Sequence, residues 1–225
     1  MHQKITLRIL SYVGVLLFAT MGIKAQSNAY KINININGTH NTQCYLARYQ
    51  GLSDNIIDTL EVDYNGNIII QGDSMLESGV YMIFLPDHYL SFEFIINEPF
   101  FSLKTDIKDL NGSIEVTNSK ENTLYVEYLK ILKQLKNEEQ AFKLKSDSGN
   151  LLLIKPSNDS IGSEVKIKQR FLNKLNALII NNSDCFYADI LKVKKKIYST
   201  QNGLNLPKPI NWIKIRNDFF EDIDI

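Results

Sequence analysis

Histidine, cysteine, tryptophan and proline are scarce in this chain, and each scarcity removes a class of function. The 225 residues hold three histidines, two cysteines, one tryptophan and five prolines. His40 and His88 are the histidines beyond position 2. Neither has Cys, His or carboxylate partners at the spacing of a zinc site or a hydrolytic triad. Both fall in predicted turns, where a histidine is ordinarily solvated. Cys44 and Cys185 form no C-x-x-C pair, so the chain has no dithiol redox motif of its own. P-loop, G-x-G-x-x-G and G-x-S-x-G patterns are absent, which removes the common nucleotide and nucleophile-elbow chemistries. A formal net charge of zero argues against a nucleic-acid binder, which needs a clustered basic stripe. No residue is therefore assigned a catalytic, cofactor-binding or metal-ligating role, and no cofactor is expected.

One strong signal is present at the start. Lys4 and Arg8 precede an uncharged run, Ile9–Ile23, closed by Lys24 and Ala25. This is the three-part pattern of a secretory signal peptide. As a helix the run would be about 22 Å long at ~1.5 Å per residue, short against a ~30 Å hydrocarbon core. Residues 1–25 are read as a cleaved signal, with an uncleaved anchor as the alternative. The mature chain is expected in the periplasm or cell envelope, without a stable membrane span.

Charge is uneven along the remainder. Residues 26–115 carry four basic side chains (Lys31, Arg48, Lys104, Lys108) against twelve acidic ones; residues 116–225 carry 18 basic against 13 acidic. Solvated helix faces account for the second half better than an anionic partner does, and the run Lys192, Lys194, Lys195, Lys196 reads the same way. The acids Asp54, Asp58, Glu61 and Asp63 lack the loop spacing of an EF-hand. An exported protein with two cysteines permits a disulfide. Each cysteine also sits in an apolar setting that suits a buried free thiol, and both readings stand.

From Tyr30 to Val116 the hydrophobic period is two. YKINININ puts Ile32, Ile34 and Ile36 on one face and three asparagines on the other. QCYLARYQ, NIIDTLEVDY, NIIIQG, SGVYMIFL, LSFEFII, FFSLKTDI and SIEVTN continue the pattern. Asn65-Gly66 and Asn111-Gly112 mark tight turns. The period changes at Ser119, a helix cap with Glu121 in the first turn. Leu124, Tyr128, Ile131, Leu132 and Leu135 then form one apolar face. A second helix is predicted over 161–180, with Val165, Phe171, Leu172, Leu175, Leu178 and Ile179 inward. A third is predicted over 185–198 and a short one over 212–220. LLLIKP (151–156) is ambiguous. The fold class is α+β: an antiparallel β-sandwich or partly open barrel of about eight strands, followed by three to four helices. The divisions are signal peptide 1–25, β domain 26–118 and helical region 119–225.

The run from Gly79 to Leu132, with Asn118-Ser119-Lys120-Glu121-Asn122 followed by Tyr125 and Tyr128, resembles a Bacteroidota envelope family. So do NNSDCFYADILK and IRNDFFEDIDI. In that family an N-terminal β domain of unknown function precedes helices and a thioredoxin-like domain, and the first helix opens on Gly-Ser-x-x-Asn. Here Asn118 stands in the glycine place, and asparagine tolerates similar backbone angles. The sequence stops at Ile225, where the family's thioredoxin-like part would begin. The resemblance implies a non-catalytic accessory module of an exported thiol-disulfide oxidoreductase, truncated or stand-alone. Its partner would be a thioredoxin-like domain or another envelope protein, and a role in cell redox homeostasis would follow. The alternative is an envelope protein whose β domain binds an extracellular peptide or glycan.

Overall fold

The computed structural model describes residues 28–50, 53–148 and 158–200. The signal segment, LLLIKP and the short helix expected over 212–220 lie outside the described residues. Eight strands come first: β1 (Tyr30–Asn37), β2 (Thr42–Gln50), β3 (Ser53–Val62), β4 (Asn67–Gly72), β5 (Gly79–Leu85), β6 (Leu90–Ile96), β7 (Phe100–Asp106) and β8 (Glu115–Thr117). Three helices follow: α1 (Lys120–Ser148), α2 (Asn158–Asn181) and α3 (Phe186–Thr200). The strands form two open sheets, β4-β1-β7-β8 and β3-β2-β5-β6, and no barrel closes.

Alternation in β1 decides which face is dry. Ile32, Ile34 and Ile36 are buried between the sheets, together with Cys44, Leu46, Ile68, Ile70, Tyr81, Ile83, Phe92, Phe94, Phe101 and Leu103. The chain turns tightly at Asn65-Gly66, but the hairpin that this pair suggests does not form: β3 and β4 lie in different sheets, and the turn carries the chain from one to the other. Gly66 has φ +80°, and a Cβ there would collide with the Ile36 carbonyl, so the site requires glycine. The Asp63 carboxylate fixes the turn by accepting from Asn65 N–H and Asn67 N–H, both at 2.8 Å.

One pairing is parallel. β1 runs parallel to β7, with Ile32 opposite Phe101 and Ile34 opposite Leu103. A parallel neighbour needs a long crossover, and here β2 to β6 supply it: β2, β3, β5 and β6 build the second sheet, while β4 returns to pair with β1. The remaining pairings are antiparallel. β3 bulges opposite Leu46 and Ala47, leaving Ile57 without a partner on β2.

The helices make a second core on the outer face of the β3-β2-β5-β6 sheet. Ile95 of β6 packs there with Leu124, Tyr125, Tyr128, Leu135, Ile167, Phe171, Leu175, Leu178, Cys185, Tyr187 and Leu191. Ile131 and Leu132 of the α1 face are half-buried rather than buried. Val165 is a correction: it is 61% exposed. It lies two residues before the buried Ile167, some 200° around the helix at about 100° per residue, on the side facing away from α1.

Candidate functional site

A buried polar junction joins the sandwich to the helices. It is built by the turn after β6 and the start of α1. Asn118 takes φ +60°, a left-handed conformation that asparagine accepts better than most residues. The chain then enters α1 with Ser119 at the N-cap. Ser119 Oγ accepts from the Asn122 N–H at 3.0 Å, the capping geometry its spacing predicts. Its hydroxyl donates to the Glu98 carboxylate. Glu98 Oε1 also accepts the Lys120 N–H at 2.6 Å and the Glu121 N–H at 3.4 Å. A carboxylate at this end satisfies orphan amides and the helix dipole together.

Asn122 is 1% exposed. Its Oδ1 accepts the Ile95 N–H and its Nδ2 donates to the Ile95 carbonyl, both at 2.8 Å. The side-chain amide thereby acts as one residue of an added strand on the open edge of β6. Glu121, also buried, reaches the other way. Its Oε1 accepts the Phe186 N–H at 2.8 Å and the Asn97 amide at 3.0 Å. Its Oε2 accepts the Tyr187 N–H at 2.8 Å. One carboxylate thus ties the start of α3 to the turn after β6. At the rim Lys120 pairs with Asp184 at 2.6 Å. Their hydrogen bond raises the Lys120 pKa and lowers that of Asp184. Beside the junction lie four tyrosines. Tyr125 donates to Glu93 at 3.3 Å, and Tyr128 and Tyr198 share a 2.9 Å bond. Burial pushes the Tyr128, Tyr187 and Tyr198 hydroxyls upward, so they stay protonated.

The candidate residues of the sequence are not brought together. Cys44 and Cys185 are free and buried in different cores, so the disulfide reading is overturned. Burial pushes the Cys44 thiol up to about 12. Burial raises Cys185 too, with the Glu121 charge adding to the effect. Neither has the thiolate character of a nucleophile. His40 is exposed beside Tyr64, and His88 is exposed in the turn Pro86–His88. Asp54, Asp58 and Glu61 lie on β3. Among the described residues no three His, Cys, Asp or Glu side chains could hold a metal. The α3 lysines make no uniform basic face: Lys192 pairs with Asp189, Lys194 lies over the Tyr128 ring, and Lys195 donates to Asn176.

A cavity of about 10 Å³ between α1 and α2 is lined by Leu135, Ile167 and Phe171 and bridged by Arg170–Glu138 at 2.6 Å. It has room for about one water and no substrate. Among the described helices none is long and apolar enough to cross a membrane.

Glu98 is the junction residue that sequence reading missed. An acidic residue just before a strand gives no local hint of capping a helix 22 residues later. Glu121 was visible only as a first-turn acid, and its bonds to α3 were not.

Comparison with known proteins meets the junction directly. Residues 30–125 match a family described as Domain of unknown function (DUF4369). The match runs from the first residue of β1 through all eight strands and the Asn118–Asn122 segment. No curated protein matches the chain. Among solved structures it is similar to (S)-allantoin synthase, with 11% identity, a TM-score of 0.30, and 42% of this chain and 45% of that one covered. It is also similar to a Klebsiella pneumoniae 5-hydroxyisourate hydrolase, with 18% identity, a TM-score of 0.27, and 40% of this chain and 99% of that one covered. The chain therefore spans under half the length of the first of these.

Proposed function

We propose that the protein is a non-catalytic accessory module of the cell envelope, working with a thioredoxin-like thiol-disulfide oxidoreductase. The observation that carries this reading is the state of the two thiols. Each is buried in its own core, uncharged, and far from any partner thiol in the same core. The Asn118–Asn122 segment gives the resemblance to the envelope family a physical content, because its side chains are spent on joining two layers. A module of this kind supplies surface and position, and the electrons move elsewhere. Insulin reduction by dithiothreitol, followed by turbidity with and without the purified protein, tests the reading. The expected result is the uncatalysed rate in both. Catalytic turnover dependent on Cys44 or Cys185 overturns it.

A second reading has one observation in its favour. The outer face of the β4-β1-β7-β8 sheet presents a ladder of amides and hydroxyls. Asn35 bonds Asn67 at 2.8 Å, Asn37 bonds Asp106 at 2.7 Å, and Asn33 lies 3.5 Å from Ser102. Such a face suits the hydroxyls of an extracellular glycan. A thermal-shift screen against cell-wall oligosaccharides and peptides tests it; a shift lost in Asn33→Ala supports the reading, and no shift with any ligand removes it.

A further inference from the structure

α3 has two apolar faces, and the helical core uses one of them. Tyr187, Ala188, Leu191 and Tyr198 are buried there. Phe186, Ile190, Val193 and Ile197 make the other. At about 100° per residue they fall within a band about 60° wide, about 130° from the middle of the buried face. Their spacing of four, three and four residues is that of a seam between two helices. Phe186 and Ile190 are half-buried. Val193 is 61% and Ile197 46% exposed, so nothing among the described residues closes that end of the band. Lys194 and Lys196 stand about 80° to either side of Phe186. With Lys192 and Lys195 they outnumber Asp189, the single acid of the helix, four to one.

The complement is written further along the chain, outside the described residues. In WIKIRNDFFEDIDI (212–225), Trp212, Ile215, Phe219 and Ile223 recur at three, four and four residues, the period of one apolar helical stripe. From Trp212 to Ile223 is eleven positions, as from Phe186 to Ile197. The charge is opposite to that of α3: Lys214 and Arg216 are outnumbered by Asp218, Glu221, Asp222 and Asp224. Residues 201–211 join the two segments and include Gly203, Pro207 and Pro209. Helix reversals in bundles take about 2–8 residues, so this tether is long enough to turn the chain back. It also holds the segment near α3 at an effective concentration of about millimolar.

We infer that residues 212–225 turn back on α3 and cover the band of Phe186, Ile190, Val193 and Ile197. The segment runs antiparallel to the helix, with Trp212 nearest Ile197 and Ile223 nearest Phe186. Its acids meet the α3 lysines, which adds attraction to the burial of two apolar stripes. A second copy docked through the same band would instead bring lysines against lysines. While it is seated, the segment withholds the band from any other apolar partner, so the exposed side of α3 is opened or closed by the chain itself.

Trp212 is the one tryptophan of the chain, so its fluorescence reports on this segment alone. In the full chain its emission is expected to be blue-shifted from that of the urea-unfolded protein and shielded from acrylamide. Val193→Asp combined with Ile197→Asp should move it to the red and open it to the quencher. Both side chains point outward, so circular dichroism and the urea midpoint should stay near wild type. Maleimide labelling supplies an independent readout. Val193 and Val165 are both 61% exposed, so Val193→Cys and Val165→Cys would react alike if nothing covered α3. Val193→Cys is expected to react about tenfold more slowly, following the fraction of time the contact is open. Phe219→Asp combined with Ile223→Asp should abolish the difference, and dilution should not. Equal labelling of the two cysteines overturns the inference, as does a Trp212 emission that the α3 aspartates leave unmoved. Protection that survives the Phe219 and Ile223 substitutions, or fades on dilution, assigns the band to another occupant and overturns it too.

Discussion

Asn122→Ala removes the clamp between α1 and β6, and the size of the loss follows from what it strands. The Ile95 N–H and carbonyl both bond the Asn122 amide at 2.8 Å, and Ile95 is fully buried. Each buried main-chain group left unpaired costs about 1–3 kcal/mol, so the pair costs about 2–6 kcal/mol. A mid-range loss of about 4 kcal/mol corresponds to a fall in Tm of roughly 8–16 °C for a chain of this size. Urea unfolding followed by circular dichroism measures the free energy. Native-state hydrogen exchange at the Ile95 amide shows whether the loss is local. Asn122→Asp separates the two bonds. It keeps the acceptor for Ile95 N–H, loses the donor to Ile95 O, and buries a charge near Glu98 and Glu121. Desolvation and those carboxylates would hold the new carboxyl above the ~3.9 of an unfolded aspartate. The folded state then binds the proton more tightly than the unfolded one. Relative to wild type, this variant should be least stable near neutrality and should recover as pH falls toward about 4. An Ala variant that loses under about 1 kcal/mol with Ile95 still slow to exchange would refute the clamp.

Glu121→Ala unties α3, and exposing the Phe186 and Tyr187 amides should cost about 2–4 kcal/mol, with Glu121→Gln losing less because one acceptor survives; urea titration and exchange at those two amides read it. Asp63, Asp106 and Asp184 have pKa values lowered by hydrogen bonds, from Asn67, Lys108 and Lys120 respectively. Their contribution is present above the ordinary carboxylate range and is lost as pH falls through their lowered values. An acid titration of the unfolding midpoint should show this limb, and Asp63→Asn combined with Asp106→Asn should flatten it. Gly66→Ala should cost about 1–3 kcal/mol from the positive φ, besides the collision with the Ile36 carbonyl; an unchanged urea midpoint would show that the turn relaxes. A maleimide added to native protein at pH 8 should leave Cys44 and Cys185 unlabelled, and both should react in denaturant; fast native labelling of either would contradict their burial.

Much of the architecture was legible because it is local. In YKINININ the burial of Ile32, Ile34 and Ile36 repeats the written alternation. Asn65-Gly66 announced its tight turn, though not that the strands on either side of it belong to different sheets, and the helix starting after Ser119 announced its cap. Val165 misled because a helix of this amphipathicity has apolar residues on both sides of its buried stripe. The junction was half legible: Asn118 to Asn122 stood out as a motif, yet Asn122 owes its role to Ile95, 27 residues back. A side-chain amide that completes a strand edge produces no periodicity, so nothing near it in the chain points to its partner.

By itself the sequence determined the order and kind of the elements, the inward face of β1 and the lack of a C-x-x-C pair. These depend on neighbours two to four residues apart, where side-chain period and backbone angles act. Tertiary structure alone decided the split of eight strands between two sheets, the parallel pairing of β1 with β7, the separation of the two thiols and the joining of Glu98, Glu121 and Asn122 into one junction. Those outcomes depend on contacts between residues tens of positions apart. They arise only when burying two apolar faces obliges each remaining polar group to find its partner wherever the packed chain has placed one.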